Sequence, residues 1–506
     1  MSKPRLRFTN FSVCRSIMKS LYLLIALIGP LVAATPRADS LRCEYHVDPL
    51  AIGTKKPRFS WKLASVSPAD RDLQQVAYEV QVSRAGGDFE KSPLWSSGKV
   101  ESAATDQIEY GGVSLVSRDH AQWRVRVWGA TGEVSSWSAP ASFQVGLLEP
   151  GDWNAQWISA KDEGSFTTSE NIQNFIGHPK MGRITVSPAK YFRKEFEVPS
   201  VVRATVHATA LGVYTLEING KRVSEDRLAP GWSAYQRRIH SQTYDVTGLV
   251  HEGRNAIGAT LADGWYAGYV AYGLFTGQEG LVPELEGRNY YGVSTAVRVQ
   301  LELEMSDGSR QTLGTDPSWK VSSGPITESD ILMGESYDAR KELTGWTHAG
   351  YDDSSWKSAI SKTGTDSKIE PHPGVPVRPI EELPSKTVNE HKPGVFIFDL
   401  GQNISGVIRL KVQGKAGQKV TIRYAEVLHN DGRLSTENLR CARAVDSYTL
   451  KGDPNGEIWV PEFTYHGFQY VELTGFPGTP NLDAVTGIVI HSDTPFHGKF
   501  VCSDPM

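Results

Sequence analysis

Cysteine is scarce in this sequence, with only four residues in a chain of 506. Three of them, Cys43, Cys441 and Cys502, lie beyond the N-terminal segment and are widely scattered. An odd, scattered set cannot form a disulfide framework, and it lacks the paired spacing of a zinc site. We therefore interpret these cysteines as small buried apolar residues in cores that need no cross-links.

An excess of charge of either sign is also missing. Lys and Arg total 53 against 57 Asp and Glu, which gives a net charge of -4 and a pI near 6.4. This balance offers no electrostatic reason to expect nucleic acid or an anionic membrane surface as a partner. Beyond the N-terminus no run approaches the roughly 18 apolar residues of a spanning helix. The sequence predicts neither a nucleic-acid partner nor a membrane span in the mature chain.

Amphipathic helices are the third absence, because no series of segments repeats apolar residues at a 3.6-residue period. Turn-forming and aromatic residues are plentiful instead, with 48 Gly, 28 Pro, 13 Trp, 19 Tyr and 17 Phe. β-Sandwiches need tight turns and flat side chains between their sheets. Such a surface also suits sugars, whose C–H faces stack on aromatic rings. The composition predicts an all-β protein, and the length predicts about three domains.

The first residues have the pattern of an export signal. Basic residues precede a short apolar run at 21–28, and small residues suited to a signal peptidase follow at 32–34. We predict a signal peptide over 1–34 and a secreted or periplasmic protein. A retained N-terminal anchor is the alternative, because the basic segment is long.

Alternating strand patterns divide the rest of the chain into three tandem β-sandwich domains. The predicted segments are 40–148, 149–360 and 395–497, with a proline-rich linker at 361–394 and a short tail at 498–506. The first has strands of period two, such as 122–128, and looks like a fibronectin type III sandwich. In the second, Asn219-Gly220 between two strand-like runs indicates a tight hairpin. Residues 162–188 look like a polar insertion, which we expect to be a mobile loop.

Short motifs occur in a consistent order along nearly all of the mature chain. They lie at 57–61, 155–158, 192–196, 217–223, 229–232, 261–268, 334–340, 399–403, 425–428, 436–440, 463–468 and 500–504. One such motif is weak evidence, but the ordered set is specific. By these motifs the chain resembles the bacterial α-L-rhamnosidases.

The resemblance implies a layout and an activity. It makes the second domain a jelly roll related to rhamnose-binding domains and the third a concanavalin-like sandwich. In the family an (α/α)₆ barrel follows, whose pair of glutamates hydrolyses terminal α-L-rhamnose with inversion. Residues 498–506 resemble the start of the lead-in to that barrel, and the barrel's acidic signature is absent from the sequence. We therefore expect a rhamnosidase truncated before its catalytic barrel and inactive alone: a truncated product, a gene fragment, or half of a split enzyme with a separate barrel polypeptide as partner.

Sugar binding is the activity that the resemblance places within these domains. In rhamnose-binding relatives a calcium ion, which prefers oxygen ligands, sits between the protein and the sugar hydroxyls. Carried over to this sequence, Asn219 and Asp263 bind the ion and the sugar, and Trp265 and Tyr266 are neighbouring rings. Ile218 stands where a second acidic ligand is expected, which argues against tight calcium binding. The simpler alternative is that Asn219-Gly220 is only a type I′ turn and Trp265 only core.

No catalytic residue is predicted in this chain. Glycoside hydrolysis needs two carboxyl groups that flank the scissile bond, and spacing alone nominates no such pair. Asp338, Asp399, Glu426 and Glu437 lie within the motifs, and we interpret them as groups that hold strands and interfaces together by hydrogen bonds. Three functions stay open: a rhamnosidase by family, a binding protein for rhamnose-containing glycans, and a structural remnant that exposes an apolar docking face.

Overall fold

The fold is known from a computed structural model. It describes residues 36–65, 67, 71–91, 93–161, 167–170, 183–270, 288–363, 365–439, 442–496 and 498–504. The predicted signal peptide, Cys441 and most of the insertion predicted at 162–188 lie outside the described residues. No helix in these ranges combines the length and the apolar character needed to cross a bilayer. The described residues divide into two compact units, those within 1–49 and 54–144 and those within 50–53 and 145–506.

β-Strands dominate, and the all-β prediction is confirmed. The described residues form 32 strands, one short α-helix and five 3-10 helices. The helices are α1 (Gly264–Ala267) and the 3-10 turns Pro150–Asp152, Thr247–Leu249, Ala339–Lys341, Glu437–Leu439 and Leu482–Ala484. The interpretation of the cysteines holds for Cys43, which is buried, but it is wrong for Cys502, which is exposed. Cys502 lies beyond the last strand, where no sheet covers it.

The first unit is a two-sheet sandwich. Its strands are β1 (Arg37–Cys43), β2 (Arg58–Ala64), β3 (Gln75–Arg84), β4 (Pro93–Ser96), β5 (Ile108–Glu109), β6 (His120–Gly129) and β7 (Ala141–Gln144). The sheet orders are β1-β2-β5 and β4-β3-β6-β7. Every second residue of β6 is buried, as the alternating run at 122–128 predicts. Phe59 of one sheet and Trp123 of the other bring their rings to 4.4 Å, so aromatic side chains fill the core.

The second unit begins with two further sheets. Their strands are β8 (Ile158–Ser159), β11 (Lys190–Val198), β12 (Val201–Leu211), β13 (Val213–Ile218), β14 (Lys221–Arg222), β15 (Arg238–Asp245), β16 (Gly253–Ala262), β17 (Ala296–Met305), β18 (Arg310–Gly314), β19 (Lys320–Ser323), β22 (Lys357–Ser358), β23 (Ile360–Ser361) and β24 (Lys368–Pro371), while β9 (Thr167–Glu170) pairs with β10 (Arg183–Val186). One sheet has the order β14-β13-β16-β11-β19-β22, and we call it the six-stranded sheet. The other has the order β23-β8-β17-β12-β15-β24, with β18 beside β17.

A shared apolar core joins these two sheets. Val206 and Ala208 of β12 are fully buried in one cluster with Leu216 and Ile218 of β13. Side chains alternate along a strand, so the residues of β13 that precede Leu216 and Ile218, namely Thr215 and Glu217, point to the other face of the six-stranded sheet. The hairpin predicted at Asn219-Gly220 is present between β13 and β14, with both residues at positive φ (52° and 77°), as a type I′ turn requires.

A ten-stranded sheet completes the second unit. Its strands are β20 (Ile326–Asp330), β21 (Gly334–Asp338), β25 (Val377–Pro384), β26 (Thr387–Lys392), β27 (Val395–Val412), β28 (Lys419–Ala425), β29 (Val445–Thr449), β30 (Glu457–Trp459), β31 (His466–Thr474) and β32 (Val485–Ser492). The order is β20-β21-β29-β28-β31-β27-β32-β25, with β26 and β30 beside β27. The β20–β21 hairpin belongs to the segment 149–360, yet β21 pairs in parallel with β29, as Ser336 opposite Ser447 illustrates. The two predicted domains therefore share one hydrogen-bonded sheet.

Residues 361–394, which their prolines predict to be a linker, contain strands β24, β25 and β26. β24 and β25 lie at sheet edges, each with one neighbour. Proline lacks an N–H donor and is tolerated at an edge, where no partner needs that donor. The proline content of this segment therefore marks edge strands.

Candidate functional site

The side chain of Asn219, predicted to bind sugar and calcium, makes its hydrogen bonds to residues beside the hairpin. Its Nδ2 donates hydrogen bonds to the Leu249 carbonyl at 2.9 Å and to Asn255 Oδ1 at 2.7 Å. Its Oδ1 accepts the backbone N–H of Ala256 at 2.9 Å. Donors and acceptor are thus engaged across the turn, and the side chain anchors β13 to β16. The geometry agrees with the simpler of the two interpretations, that of a type I′ turn.

Asp263 lies at the opposite end of the same strands, immediately before α1. Its side chain is buried and accepts a hydrogen bond from Arg288 Nη2 at 2.7 Å. Arg288 is buried as well and also donates to the Ser187 hydroxyl at 3.0 Å. A buried carboxylate is stable only when a partner compensates its charge. Arg288 supplies that compensation, so Asp263 carries a structural ion pair.

The structure does not bring Asn219 and Asp263 together. The β13–β16 ladder runs from Val213 opposite Ala262 to Ile218 opposite Ile257, and the two residues follow its two ends. At about 3.4 Å per residue the ladder separates them by roughly 20 Å, whereas calcium ligands lie about 2.4 Å from the ion. These residues therefore do not fit one shared calcium ion. Among the described residues no group of three or more His, Cys, Asp and Glu side chains is placed to bind a metal.

Trp265 and Tyr266 do come together, in a cluster of aromatic side chains on and beside α1. Trp265 stacks in parallel on Trp232, with ring centroids 6.0 Å apart and planes 6° apart. Tyr266 meets Tyr235 edge to face at 5.3 Å. Tyr291 contacts Tyr235 at 5.0 Å and accepts a hydrogen bond from Trp232 Nε1 at 3.0 Å. We call these five residues the aromatic platform.

The platform has both an apolar face and hydroxyl groups. Trp232 is 52% exposed, so its ring is available to a ligand, whereas Trp265 beneath it is partly buried. Burial raises the pKa of the Tyr235 and Tyr266 phenols, which keeps both hydroxyls protonated at neutral pH. The Tyr235 hydroxyl is buried and donates to the Gly231 carbonyl at 3.1 Å, so Tyr266, whose neutral phenol can both donate and accept hydrogen bonds, is the one of the two that suits a ligand. An exposed ring next to neutral hydroxyls is suited to an uncharged sugar.

Sequence reasoning found two members of the platform and missed the other three. Trp232 lies in the motif at 229–232, but nothing in the sequence gives it a role beside Trp265, because Trp232 belongs to the loop between β14 and β15 whereas Trp265 lies on α1. Tyr235 and Tyr291 lie in no motif. Only the fold places these rings in contact, because it brings other segments of the chain to the end of β13 and β16 where α1 begins.

The carboxylates of the motifs are engaged in local bonds. The Asp338 carboxylate accepts two hydrogen bonds from the Arg340 guanidinium at 2.8 Å. Glu426 accepts hydrogen bonds from the amides of Asn403 and Asn438 at 3.3 and 3.0 Å. Backbone N–H bonding and then the neighbouring His429 lower the pKa of Glu437 to about 2. Asp399 accepts the N–H of Gly401 at 2.6 Å and a bond from Gln469 at 2.9 Å. Their partners are those of groups that hold loops and strands in place.

Comparison with protein families gives three matches in order along the chain. The N-terminal immunoglobulin domain of Rha78A-like proteins matches residues 38–149. The alpha-L-rhamnosidase N-terminal domain matches residues 199–381. The concanavalin-like domain of bacterial alpha-L-rhamnosidases matches residues 389–491. All three matched families are thus domains of one type of enzyme.

Individual relatives carry the same description. The chain is 34% identical to the α-L-rhamnosidase of Streptomyces avermitilis, with 93% of this chain and 59% of that protein aligned. It is 36% identical to an α-L-rhamnosidase of Alteromonas sp. (strain LOR), with 91% of this chain and 48% of the relative aligned. The chain therefore spans between about half and three-fifths of the length of these relatives.

Solved structures agree with the sequence relatives. The crystal structure of the Streptomyces avermitilis α-L-rhamnosidase complexed with L-rhamnose superposes with a TM-score of 0.82 at 32% identity, covering 93% of this chain and 59% of that one. The α-L-rhamnosidase of Dictyoglumus thermophilum gives a TM-score of 0.83 at 33% identity, covering 93% and 50%. The fold of the described residues is therefore that of the corresponding part of these enzymes.

Proposed function

Because this chain belongs to the α-L-rhamnosidase family, we propose that it serves in the hydrolysis of terminal α-L-rhamnose from glycosides and polysaccharides. The ordered match of three rhamnosidase domains along one chain is the observation that carries this proposal. It is supported by identities of 34 and 36% across more than nine-tenths of the sequence. The chain supplies the N-terminal β-sandwich domains of such an enzyme.

Within the enzyme we assign the chemistry to the helical barrel that the family resemblance implies. Hydrolysis needs an acid and a base on opposite sides of the glycosidic bond. The motif carboxylates Asp338, Asp399, Glu426 and Glu437 are bonded to neighbouring side chains or backbone. The β-sandwich domains then hold the glycan or the barrel, and a separate barrel polypeptide is one way to complete the enzyme.

An aryl α-L-rhamnoside assay tests this division of labour. The purified 506-residue chain should release no aryl alcohol above the buffer rate, whereas the Streptomyces avermitilis enzyme in the same assay provides the positive control. Sustained turnover by the purified chain at a rate comparable to the control would place an acid–base pair inside the sandwiches and overturn the assignment.

The binding role of these domains we place on the aromatic platform, with rhamnose-containing glycans as ligands. Rhamnose is a 6-deoxy sugar, so its methyl group and C–H faces offer apolar surface to Trp232. The Tyr291 phenol accepts the Trp232 indole N–H and supplies a polar partner beside that ring, and Tyr266 adds a second phenol within the same cluster through its contact with Tyr235. Stacking on one aromatic side chain contributes about 1 kcal/mol. The platform therefore suits a weak, reversible hold on a chain of neutral sugars.

Calorimetry with L-rhamnose tests the platform. Trp232→Ala should weaken binding about fivefold, because it removes the exposed stacking ring, whose contribution is about 1 kcal/mol. Tyr45→Ala, at a ring that is 54% exposed in the first unit, is the matched control and should bind as the parent does. Equal affinity of the Trp232→Ala and Tyr45→Ala variants would rule out the platform.

Repeating the same titration with a calcium chelator tests whether sugar binding depends on calcium. Asn219 and Asp263 are bonded elsewhere and stand at opposite ends of β13 and β16, so binding should survive removal of divalent ions. If the chelator abolished binding, and Asn219→Gly and Asp263→Ala did so at unchanged stability, the calcium-assisted site implied by the resemblance would replace the platform.

A further inference from the structure

A pocket of about 420 Å³ lies where the outer face of the six-stranded sheet meets the ten-stranded sheet. Its walls come from β11, β13, β14 and β16 on one side, and from β21, β30 and the segment at 342–346 on the other. The volume is within the usual range for small-molecule sites. The platform residues are not among those that line it. The pocket is thus a second place for a ligand.

Aromatic rings form the apolar part of the pocket. Tyr337 and Trp459 lie on the side of the ten-stranded sheet, with ring centroids 6.0 Å apart. On the side of the six-stranded sheet, Tyr191 of β11 meets Trp346 of the segment at 342–346 edge to face at 5.4 Å. Ile458, which is 65% exposed, adds an apolar side chain to the lining. A flat ligand with apolar faces finds rings on both sides.

Uncommitted polar groups also line the pocket. Thr215, Glu217 and Thr260 project from the outer face of the six-stranded sheet. Within the described residues, the two threonine hydroxyls and the Trp346 indole N–H have no hydrogen-bond partner. None of these three groups is fully buried, so a ligand can reach them. Glu217 accepts a bond from Thr347 through Oε2 at 2.9 Å and makes no described hydrogen bond through Oε1. The pocket therefore offers both hydrogen-bond donors and hydrogen-bond acceptors to a ligand.

The charges around the pocket disfavour an anion. Glu462 is bound by Arg222 at 2.7 Å and by Arg227 at 2.9 Å, so both guanidinium groups are already paired. Glu342 is paired with Lys451 at 2.7 Å. Glu217 remains without a cationic bonding partner among the described residues, which leaves a negative lining. Repulsion by this carboxylate would weaken the binding of an acidic sugar.

The pocket is held rigidly by a buried carboxyl group. Glu335 is fully buried and accepts the backbone N–H groups of Glu462 and Phe463 at 3.1 and 2.9 Å. Through this bond β21 fixes the segment that follows β30, and Glu462 then fixes β14 by its pair with Arg222. Rigid walls lower the entropic cost of ligand binding.

From these rings, uncommitted hydroxyls and charges we infer that the pocket binds a neutral sugar unit of a glycan, at a site separate from the aromatic platform. The inference rests on the proposed function only for the choice of rhamnose as the sugar. Thr215, Glu217 and Thr260 bond the sugar hydroxyls, and the rings of Tyr337 and Trp346 contact its C–H faces. The chain then has two separate sites for sugar units.

The test compares isosteric variants in calorimetry with methyl α-L-rhamnoside. The double variant Thr215→Val and Thr260→Val removes two hydroxyls while keeping the β-branched shape of the strands, and it should weaken one class of site about tenfold. Thr312→Val, at an exposed threonine on β18, is the matched control. D-galacturonate, an anionic sugar, should bind this site more weakly than the neutral glycoside does.

The outcomes separate the pocket from the platform. Two classes of site in the parent chain, one lost in the double variant and the other in Trp232→Ala, support both. A single class lost only in Trp232→Ala overturns the pocket and leaves the platform standing, and a single class lost only in the double variant does the reverse. Crystals soaked with the glycoside locate the sugar directly. An empty pocket beside an occupied platform, or tighter binding of galacturonate by the pocket, also overturns the inference.

Discussion

At the residue scale, Glu335 is a carboxyl group whose protonation matters for the whole second unit. Burial, together with the neighbouring carboxylates of Asp446 and Glu462, raises its pKa to about 8, although two backbone N–H groups oppose that rise. Glu335 is therefore protonated at neutral pH. It sits at the bond that joins β21 to the segment after β30, so ionisation places an uncompensated charge inside that junction.

The raised pKa of Glu335 predicts a pH-dependent stability. The folded chain retains a proton that the unfolded chain loses near pH 4.5, so this stabilising contribution is complete below that pH and is lost as pH rises through about 8. Urea unfolding of the parent should show a loss on the order of 2 kcal/mol between pH 6 and 9. Glu335→Gln should reduce this loss, because one amide oxygen still accepts both N–H groups at the Oε2 position.

The matched control for Glu335 is Glu381→Gln, at an exposed carboxylate on β25. It removes one negative charge from the surface and should leave the pH dependence of unfolding as in the parent. Identical pH profiles for Glu335→Gln and the parent would mean that Glu335 does not carry the effect.

At the scale of elements, the β20–β21 hairpin is the feature that connects the sheets of the second unit. Gly334 begins β21 at a φ of 96°, where glycine is favoured. A Cβ at this position would collide with the Val445 carbonyl oxygen at the start of β29. Gly334 thus permits the close approach from which the parallel β21–β29 pairing runs.

Gly334→Ala should therefore destabilise the chain by about 2–4 kcal/mol, because it combines a strained φ with a backbone collision. Gly308→Ala is a close control: its φ is 82°, but nothing lies within 4 Å of the added Cβ. That variant should lose only the conformational part, about 1 kcal/mol. Chemical denaturation measures both, and equal losses would show that the approach of β29 is not what requires Gly334.

Local patterns could be predicted from the sequence, and long-range pairings could not. The alternation in β6 and the turn at Asn219-Gly220 depend on neighbouring residues, and both are present. The β21–β29 pairing joins residues more than 100 positions apart, and no local pattern encodes it. The prolines of 361–394 mark edges, and an edge exists only once the sheet has formed.

The site shows the same division. Trp265 and Tyr266 were accessible to prediction because they stand in one family motif with Asp263. Trp232 was not, since the contact between its ring and that of Trp265 depends on how the loop between β14 and β15 approaches α1. The pairing of Asn219 with Asp263 fails for a similar reason: the register of β13 on β16 puts them at opposite ends.

At the scale of the whole molecule, similarity to α-L-rhamnosidases extends over 93% of the chain, while the chain spans 59% of the Streptomyces avermitilis relative. Fold and family therefore agree for the described residues. The aryl rhamnoside assay tests the proposal that hydrolysis takes place in the helical barrel and not in these β-sandwich domains. The apolar side chains of Phe496, Phe500 and Val501 are 88, 88 and 75% exposed after the last strand. Such a segment is suited to packing against another apolar surface.

The shared sheet also has a consequence for how genes of this kind are rearranged. Recombination that cut the reading frame between codons 338 and 445 would place neighbouring strands on different polypeptides, since β21 and β29 lie on either side of the cut. Both products would expose unpaired strand edges prone to aggregation. The segments that contain these two strands should therefore be inherited as a block, and family members with shuffled domain orders should keep that block intact.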